Sequence, residues 1–524
     1  MSPTPTVRIP LASVIRKLDN DAPDYLTGSP GLYLCLALAY DSLAAPANVM
    51  GPDGVSAPDF SRMLPRLATG WEHTSPTSWE VALRPGVTSH AGNQLSSADI
   101  AWAFRKNFAT PVMAAWRWRD TAGIDGPDDV TAVRPLLVRY RVRVANPNFP
   151  AYLQWLTPNI VDSTEISRFA TDDDPWGITW LDDHVAGFGA YAMDSFEDGH
   201  AAFTARRDHW DGEAEVKRVE LWEVGSRSEA LAELDGPGPV VLLGLDADET
   251  RAALTRDDVS VARTWAGHSR LQLDFRVEPF GDRRVRQALA YATPYEAVIK
   301  DGFRGLARPW RSPVKGISPW YTDRFWSYET NLYTAKSLMK EAGLTAGFST
   351  DLYFPNRPDC HRVSQILQES WRKIGVEVTL HDRLAAPGEP MALVLSTDCG
   401  HNLSEPLYDL VHDFASIPSL FPEKSPEFGV GRWNPYLVRQ EEIIDSLREA
   451  LTETDEVALH DRVDELQRRI LEEACTIHLA EVQQSFVTKN VPASFAAPDG
   501  RFFHAMQYQN ARSDQYLPWW EGYR

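Results

Sequence analysis

The chain has 524 residues, 43% of them hydrophobic and 24% charged, with 32 Gly and 37 Pro. That is an ordinary globular composition, which excludes a disordered, collagen-like or coiled-coil architecture as the main one; at about 150 residues per domain it suggests roughly three to four domains. A net charge of −21 argues against nucleic acid or an anionic membrane surface as partner, because both call for a basic face.

The N-terminal stretch lacks the pattern of a secretory signal, a basic start followed directly by about 7–15 apolar residues. Arg16-Lys17 is followed by Leu-Asp-Asn-Asp instead, and the apolar run Gly31–Tyr40 is too short to span a bilayer. As written, the chain is expected to be cytoplasmic, and extracytoplasmic if a signal was trimmed. In Ser78–Leu83, Trp79, Val81 and Leu83 alternate as in a strand, and Arg84-Pro85-Gly86 turns the chain. Ser96 or Ser97 can cap a following helix with Asp99 near its positive end, and Ile100, Phe104 and Phe108 give it an apolar face. Asp282–Ala292 carries Val285, Leu289 and Ala292 at helical spacing. Thr293-Pro294-Tyr295-Glu296 then reads as the N-cap and capping box of a new helix. Val363, Leu367, Trp371 and Ile374 form a helical stripe that Gly375 is placed to end, and Val376, Val378 and Leu380 follow as a strand. Ala392–Ser396 is a further strand. Gln440–Ala474 reads as two charged amphipathic helices broken at Thr452–Thr454, their Glu and Arg residues forming a solvated face. Helices alternating with strands are the grammar of an α/β lobe.

The 18 Trp, 17 Tyr and 21 Phe suit large cores and the walls of ligand clefts. Cys35, Cys360, Cys399 and Cys475 are scattered without metal-ligand spacing, so neither a metal nor a cofactor is expected. GxSxG, phosphate-loop and HExxH motifs are missing from the sequence.

An ordered set of blocks resembles the bacterial solute-binding proteins, family 5, which serve peptide and nickel ABC importers. It comprises Tyr40-Asp41-Ser42-Leu43, the segment Leu64–Trp71, and WEVALRPGVTSHAGNQLSSADIAWAF from Trp79 to Phe104. Val185–Tyr191 (VAGFGAY), Asp282–Ala292 (DRRVRQALAYA), Ala335–Gly343 (AKSLMKEAG) and Glu369–Val376 (ESWRKIGV) follow in the family's order. The resemblance implies a type II periplasmic-binding-protein-like α/β fold of two lobes, closing by a hinge on a ligand held between them. The split first lobe would take residues 1–44, 176–264 and 483–524, an inserted extra domain 45–175, and the second lobe 265–482.

A peptide is a zwitterion; its ammonium calls for a carboxylate and its carboxylate for an arginine fork or a helix N-terminus. The resemblance puts Asp398 at the amine-binding position and Arg357 at the carboxylate-binding position. Trp433 and Phe188 are candidate cleft walls, and His401 a further ligand contact. His90, at the family's His-Asp-Gly position, is expected to be a turn residue. The loop Ser396–Glu405 departs from the family pattern. Its Asp398, Cys399, His401 and Glu405 also offer groups for acid–base or nucleophilic work.

Two functions follow as expectations. The first is a binding protein that captures a peptide or similar amine-bearing solute and delivers it to an ABC permease, working as a monomer without inserting into the membrane. The alternative is an enzyme of small-molecule or peptide-derived biosynthesis that reuses the same fold, which fold alone does not decide.

Overall fold

The structure is a computed structural model that describes residues 6–11, 17–19, 30–110, 118–119, 122–143, 145–155, 160–197, 199–383, 392–398, 407, 410, 414 and 441–492. The described residues fall into two compact units. Unit 1 holds those up to Gly244, Arg256–Arg263 and those from Ser485 on; unit 2 holds Leu245–Thr255 and Thr264–Gln484. Strands Ser260–Leu273 and Thr476–Lys489 contribute residues to both.

In unit 1, strand Thr6–Leu11 runs parallel to Arg218–Glu223, which pairs antiparallel with His200–Ala205 and, through it, Tyr191–Glu197. Val7, Ile9, Phe203, Val219 and Leu221 pack with Leu34, Leu36 and Leu38 of helix Pro30–Ala39 in one core. A separate four-stranded sheet has the order Ala68–Ser75, Ser78–Leu83, Leu137–Arg141, Val130–Arg134. Ser78–Leu83 buries Trp79, Val81 and Leu83 as the alternation requires. Helix Ser97–Ala109 starts at Ser96, whose N–H donates to Asp99 Oδ2 at 2.8 Å, and it buries Ile100 and Phe104. On the same helix Lys106 reaches Asp19 at 3.0 Å, both side chains only 2% exposed.

In unit 2, the strand order is Val376–His381, Phe348–Tyr353, Leu393–Asp398, Ser260–Leu273, Thr476–Lys489. The first three run parallel, and Ser260–Leu273 is antiparallel to Leu393–Asp398. Helix Pro358–Arg372 covers this sheet with Val363, Leu367 and Trp371, all fully buried, and Gly375 at φ +87° ends the turn beyond it. These side chains join Leu271, Leu273, Val285, Leu289, Ile477 and Leu479 in one core. Helices Glu441–Thr452 and Glu456–Glu472 are separate, as the break predicts, and bury Leu447, Leu451, Leu459, Val463, Leu466 and Ile470.

One local expectation is corrected. Helix Arg283–Ala292 is capped by Asp282, but Thr293 does not cap a new helix: its hydroxyl donates to the Leu289 carbonyl at 2.8 Å and is thereby spent on the preceding turn. The helical residues Tyr295–Ala297 run directly into a π turn over Val298–Gly302.

Candidate functional site

In open α/β sheets, ligands gather outside the carboxyl ends of the parallel strands. In unit 2 the parallel strand Phe348–Tyr353 ends where Leu393–Asp398 begins, with Tyr353 opposite Val394, and Leu393–Asp398 runs on beyond it. Following each strand four residues on from that pair leads to Arg357, the cap of helix Pro358–Arg372, and to Asp398, the last residue of its strand. The start of the helix that Arg357 caps lies beside the carboxyl end of the strand that finishes at Asp398. This junction is tied together by small polar side chains. Cys360 Sγ lies 3.7 Å from Thr397 Oγ1, and the Thr397 and Ser269 hydroxyls are 3.0 Å apart. Across the antiparallel pair, His268 stands in register with Asp398 and Arg270 with Ser396.

Arg357 is not an open fork. Its Nε donates to Asp359 Oδ1 at 3.0 Å and its Nη2 to Asp359 Oδ2 at 2.5 Å, which leaves the Nη1 end of the guanidinium. Both side chains are largely buried. Burial opposes the guanidinium's charge, but Asp359 outweighs it and the pKa is raised. Burial, and then the Asp359 charge, push the neighbouring Cys360 thiol up to about 12. A thiol so protonated is a poor nucleophile at neutral pH.

Sequence reasoning missed the adjoining strand faces. Thr264, His268 and Arg270 occupy even positions of Ser260–Leu273, opposite the apolar Leu271 and Leu273, and all three are buried. On Thr476–Lys489, buried His478 stands between the apolar Ile477 and Leu479, and Gln484 is buried further along the strand. Trp310 joins the strands: its ring centroid is 4.8 Å from that of His268 and 4.3 Å from that of His478. Their sequence signal is Thr264, His268 and Arg270 at even positions of TWAGHSRLQLDF, a stretch otherwise rich in β-formers. Such polar residues in a buried strand are informative where apolar ones are not.

In unit 1 the motif residues carry structure. Phe188 is fully buried there. The glycines beside it allow a close approach to helix Pro30–Ala39: a Cβ on Gly187 would stand 2.0 Å from the Ala39 carbonyl oxygen, and one on Gly189 would meet the same carbonyl at 2.6 Å. The His90 N–H donates to the Gly187 carbonyl at 3.0 Å and its Nδ1 accepts from the Gly187 N–H at 3.4 Å, a turn role as expected. Burial, reinforced by the Arg206 charge, pushes its imidazole down to about 3. Asp41 accepts from Trp210 Nε1 at 2.6 Å and lies 2.9 Å from His209 Nε2 and 3.4 Å from Arg66 Nη2. Cys399, His401, Glu405 and Trp433 lie outside the described residues. Among the described residues there is no cluster of three or more metal-ligating side chains, and no helix is long and apolar enough to cross a membrane.

The dipeptide-binding protein of Escherichia coli is 22% identical over 348 residues, 61% of this chain and 63% of that protein, so the chain spans less than two thirds of this curated relative. Heme-binding protein A of Haemophilus influenzae is 26% identical over 206 residues, 38% of this chain and 37% of that protein. Among solved structures, the periplasmic binding protein DppA from Helicobacter pylori in complex with the peptide STSA superposes with a TM-score of 0.74 at 17% identity, over 96% of this chain and 97% of that one. NikZ from Campylobacter jejuni in complex with Ni(L-His) does so at 0.71 and 17%, over 93% and 94%. These likenesses establish the type II periplasmic-binding-protein fold expected from the sequence. The model of the bacterial extracellular solute-binding proteins, family 5, matches residues 62–390, more than half of the chain, and the chain belongs to that family.

Proposed function

We propose that the chain is a solute-binding protein of the ABC-importer type, taking a peptide or similarly sized amine-bearing solute and handing it to a permease on the extracytoplasmic side. The observation that carries this reading is that helix Pro358–Arg372, capped by Arg357, starts beside the carboxyl end of strand Leu393–Asp398, Cys360 Sγ lying 3.7 Å from Thr397 Oγ1. Family membership supports it. In this proposal the Asp398 carboxylate receives the solute's ammonium group. Arg357 contributes its Nη1 end, Asp359 holding the guanidinium in place. His401 and Trp433 are proposed as further contacts from the segment after Asp398, and Phe188 as packing that shapes unit 1. The division into a split first lobe, an inserted domain at 45–175 and a second lobe at 265–482, and a monomeric state, belong to the same proposal. The enzyme alternative is not favoured by the family assignment, and the raised Cys360 thiol lends it nothing.

A thermal-shift screen of the purified chain against short peptides tests the reading. A ligand at 100 times its dissociation constant stabilises a protein by about 2.7 kcal/mol. We expect a clear upward shift with peptides bearing a free amine, lost in Asp398→Ala. The absence of a shift with any peptide rejects the peptide-carrier function.

A further inference from the structure

Arg357 stands where the carboxylate of a peptide is expected, yet a carboxylate of the chain itself is already there. Pro358 takes the first helical position, and the turn it starts brings Asp359 back onto the arginine. Arg357 Nε and Nη2 donate to the two oxygens of Asp359, and the two side chains are only 11% and 1% exposed. The Cys360 N–H also donates to Asp359 Oδ1 at 2.8 Å, so the carboxylate is fixed from two sides. A second carboxylate acts on the same guanidinium. Asp246 is buried at the cap of helix Ala247–Ala253, accepts from the Glu249 N–H at 2.9 Å, and adds its charge to that of Asp359 at Arg357. All of these residues belong to unit 2. Arg270 and His268, in register with Ser396 and Asp398 on the adjoining strand, are already engaged.

An arginine balanced in this way has no net charge left to draw an anion. A solute carboxylate would have to leave water and meet Asp359 and Asp246 across one guanidinium, and a buried charge without a counter-charge of its own is strongly disfavoured. A neutral oxygen meets no such repulsion and can accept from the Nη1 end that Asp359 leaves.

We propose that Asp359 takes the place of the solute's carboxylate at Arg357, so that the preferred solute is an amine with an uncharged oxygen, such as an amide carbonyl, where a plain peptide has its terminal carboxylate. The inference rests on the solute-binding function proposed above and names the class of solute within it. Asp359 is then a specificity-determining residue. It orients the guanidinium through two charge-assisted hydrogen bonds and cancels the charge that would select an anion. Peptide amides fit this description and free-acid peptides fit it less well.

The test is isothermal titration calorimetry of the full chain with a panel of short peptides that carry a free amine, each as its free acid and as its C-terminal amide. We expect the amides to bind at least threefold more tightly than the acids. Asp359→Asn keeps an oxygen for the arginine and removes the charge, and it should shift the acid-to-amide affinity ratio at least tenfold towards the acids. Asp246→Asn retains a residue type that caps helices well and should shift the ratio the same way by a smaller factor. Melting temperatures report whether each variant is folded. A preference for amides below threefold in the unmodified chain, or a preference for acids, overturns the inference while leaving solute binding intact. So does a ratio that stays unchanged in folded Asp359→Asn or, where that variant does not fold, in Asp246→Asn. Failure of every peptide to bind overturns the inference together with the function it rests on.

Discussion

The two units use the same kinds of polar residue to different ends. In unit 1, Asp99 closes a capping box and accepts from Ser163, and Asp41 gathers Trp210, His209 and Arg66. Gly187 and Gly189 admit the Ala39 carbonyl. Asp99, Asp41, Gly187 and Gly189 belong to blocks that mark the family, and each is explained by a cap, a buried hydrogen-bond cluster or a close approach. In unit 2, Ser269 and Thr397 share a hydrogen bond between adjacent strands, and Arg357 is held by Asp359 where the helix starts beside them. Shared motifs in unit 1 mark scaffold, whereas the residues of unit 2 proposed to meet the solute lie where a helix starts beside a strand end.

That contrast can be broken by mutation, beginning with the scaffold of unit 2. Trp371 is fully buried in the core beneath the parallel strands, and Trp371→Ala should cost about 3–5 kcal/mol in urea unfolding. A loss under about 1 kcal/mol would mean the core is not packed as described. Arg357→Met should cost nearly as much, about 3–5 kcal/mol, because it strands the buried Asp359 carboxylate. The double variant Arg357→Met/Asp359→Leu should recover most of the loss. If the double variant is as unstable as the single one, the pair is not the reason for the cost. In unit 1, Ser96→Ala should remove only about 0.5 kcal/mol, because the Ser96 hydroxyl donates to Asp99 Oδ2 at 2.9 Å rather than capping a backbone N–H, with no effect on solute affinity.

The smallest expected effect is a pH dependence confined to unit 1. The imidazole of His90 titrates at about 3 in the folded chain against 6.5 as its ordinary value. Between those pH values the unfolded chain binds the extra proton, so this group's contribution is complete above about pH 6.5 and is lost as the pH falls towards 3. His90→Gln should flatten the fall of melting temperature between pH 7 and 4. An unchanged slope would show that His90 does not carry it.

Much of the fold was legible because its signals are local. Ser78–Leu83 alternates, Ser96 and Asp99 make a cap, and Val363, Leu367 and Trp371 recur at helical spacing, each a pattern that sequence carries directly. Thr293 was misleading because a threonine can bond backward to its own helix as readily as cap the next, and only packing chose Leu289. At the site, Arg357 and Asp398 were found through family spacing. What the sequence did not disclose was that Asp359, two residues on, would occupy the arginine. Nor could it show that Trp310 would bring His268 and His478, separated by over two hundred residues, to one ring. Those are long-range contacts that no window of sequence contains.

The account turns on whether an amine-bearing solute is held at the strand edge where Asp398 lies. Isothermal titration calorimetry of the full chain with unblocked short peptides, repeated with Asp398→Asn, tests it most directly. The account predicts saturable one-to-one binding in the unmodified chain, weakened at least tenfold by Asp398→Asn, with the variant's melting temperature unchanged. Peptide binding that Asp398→Asn leaves intact, or no binding across the panel, would contradict it.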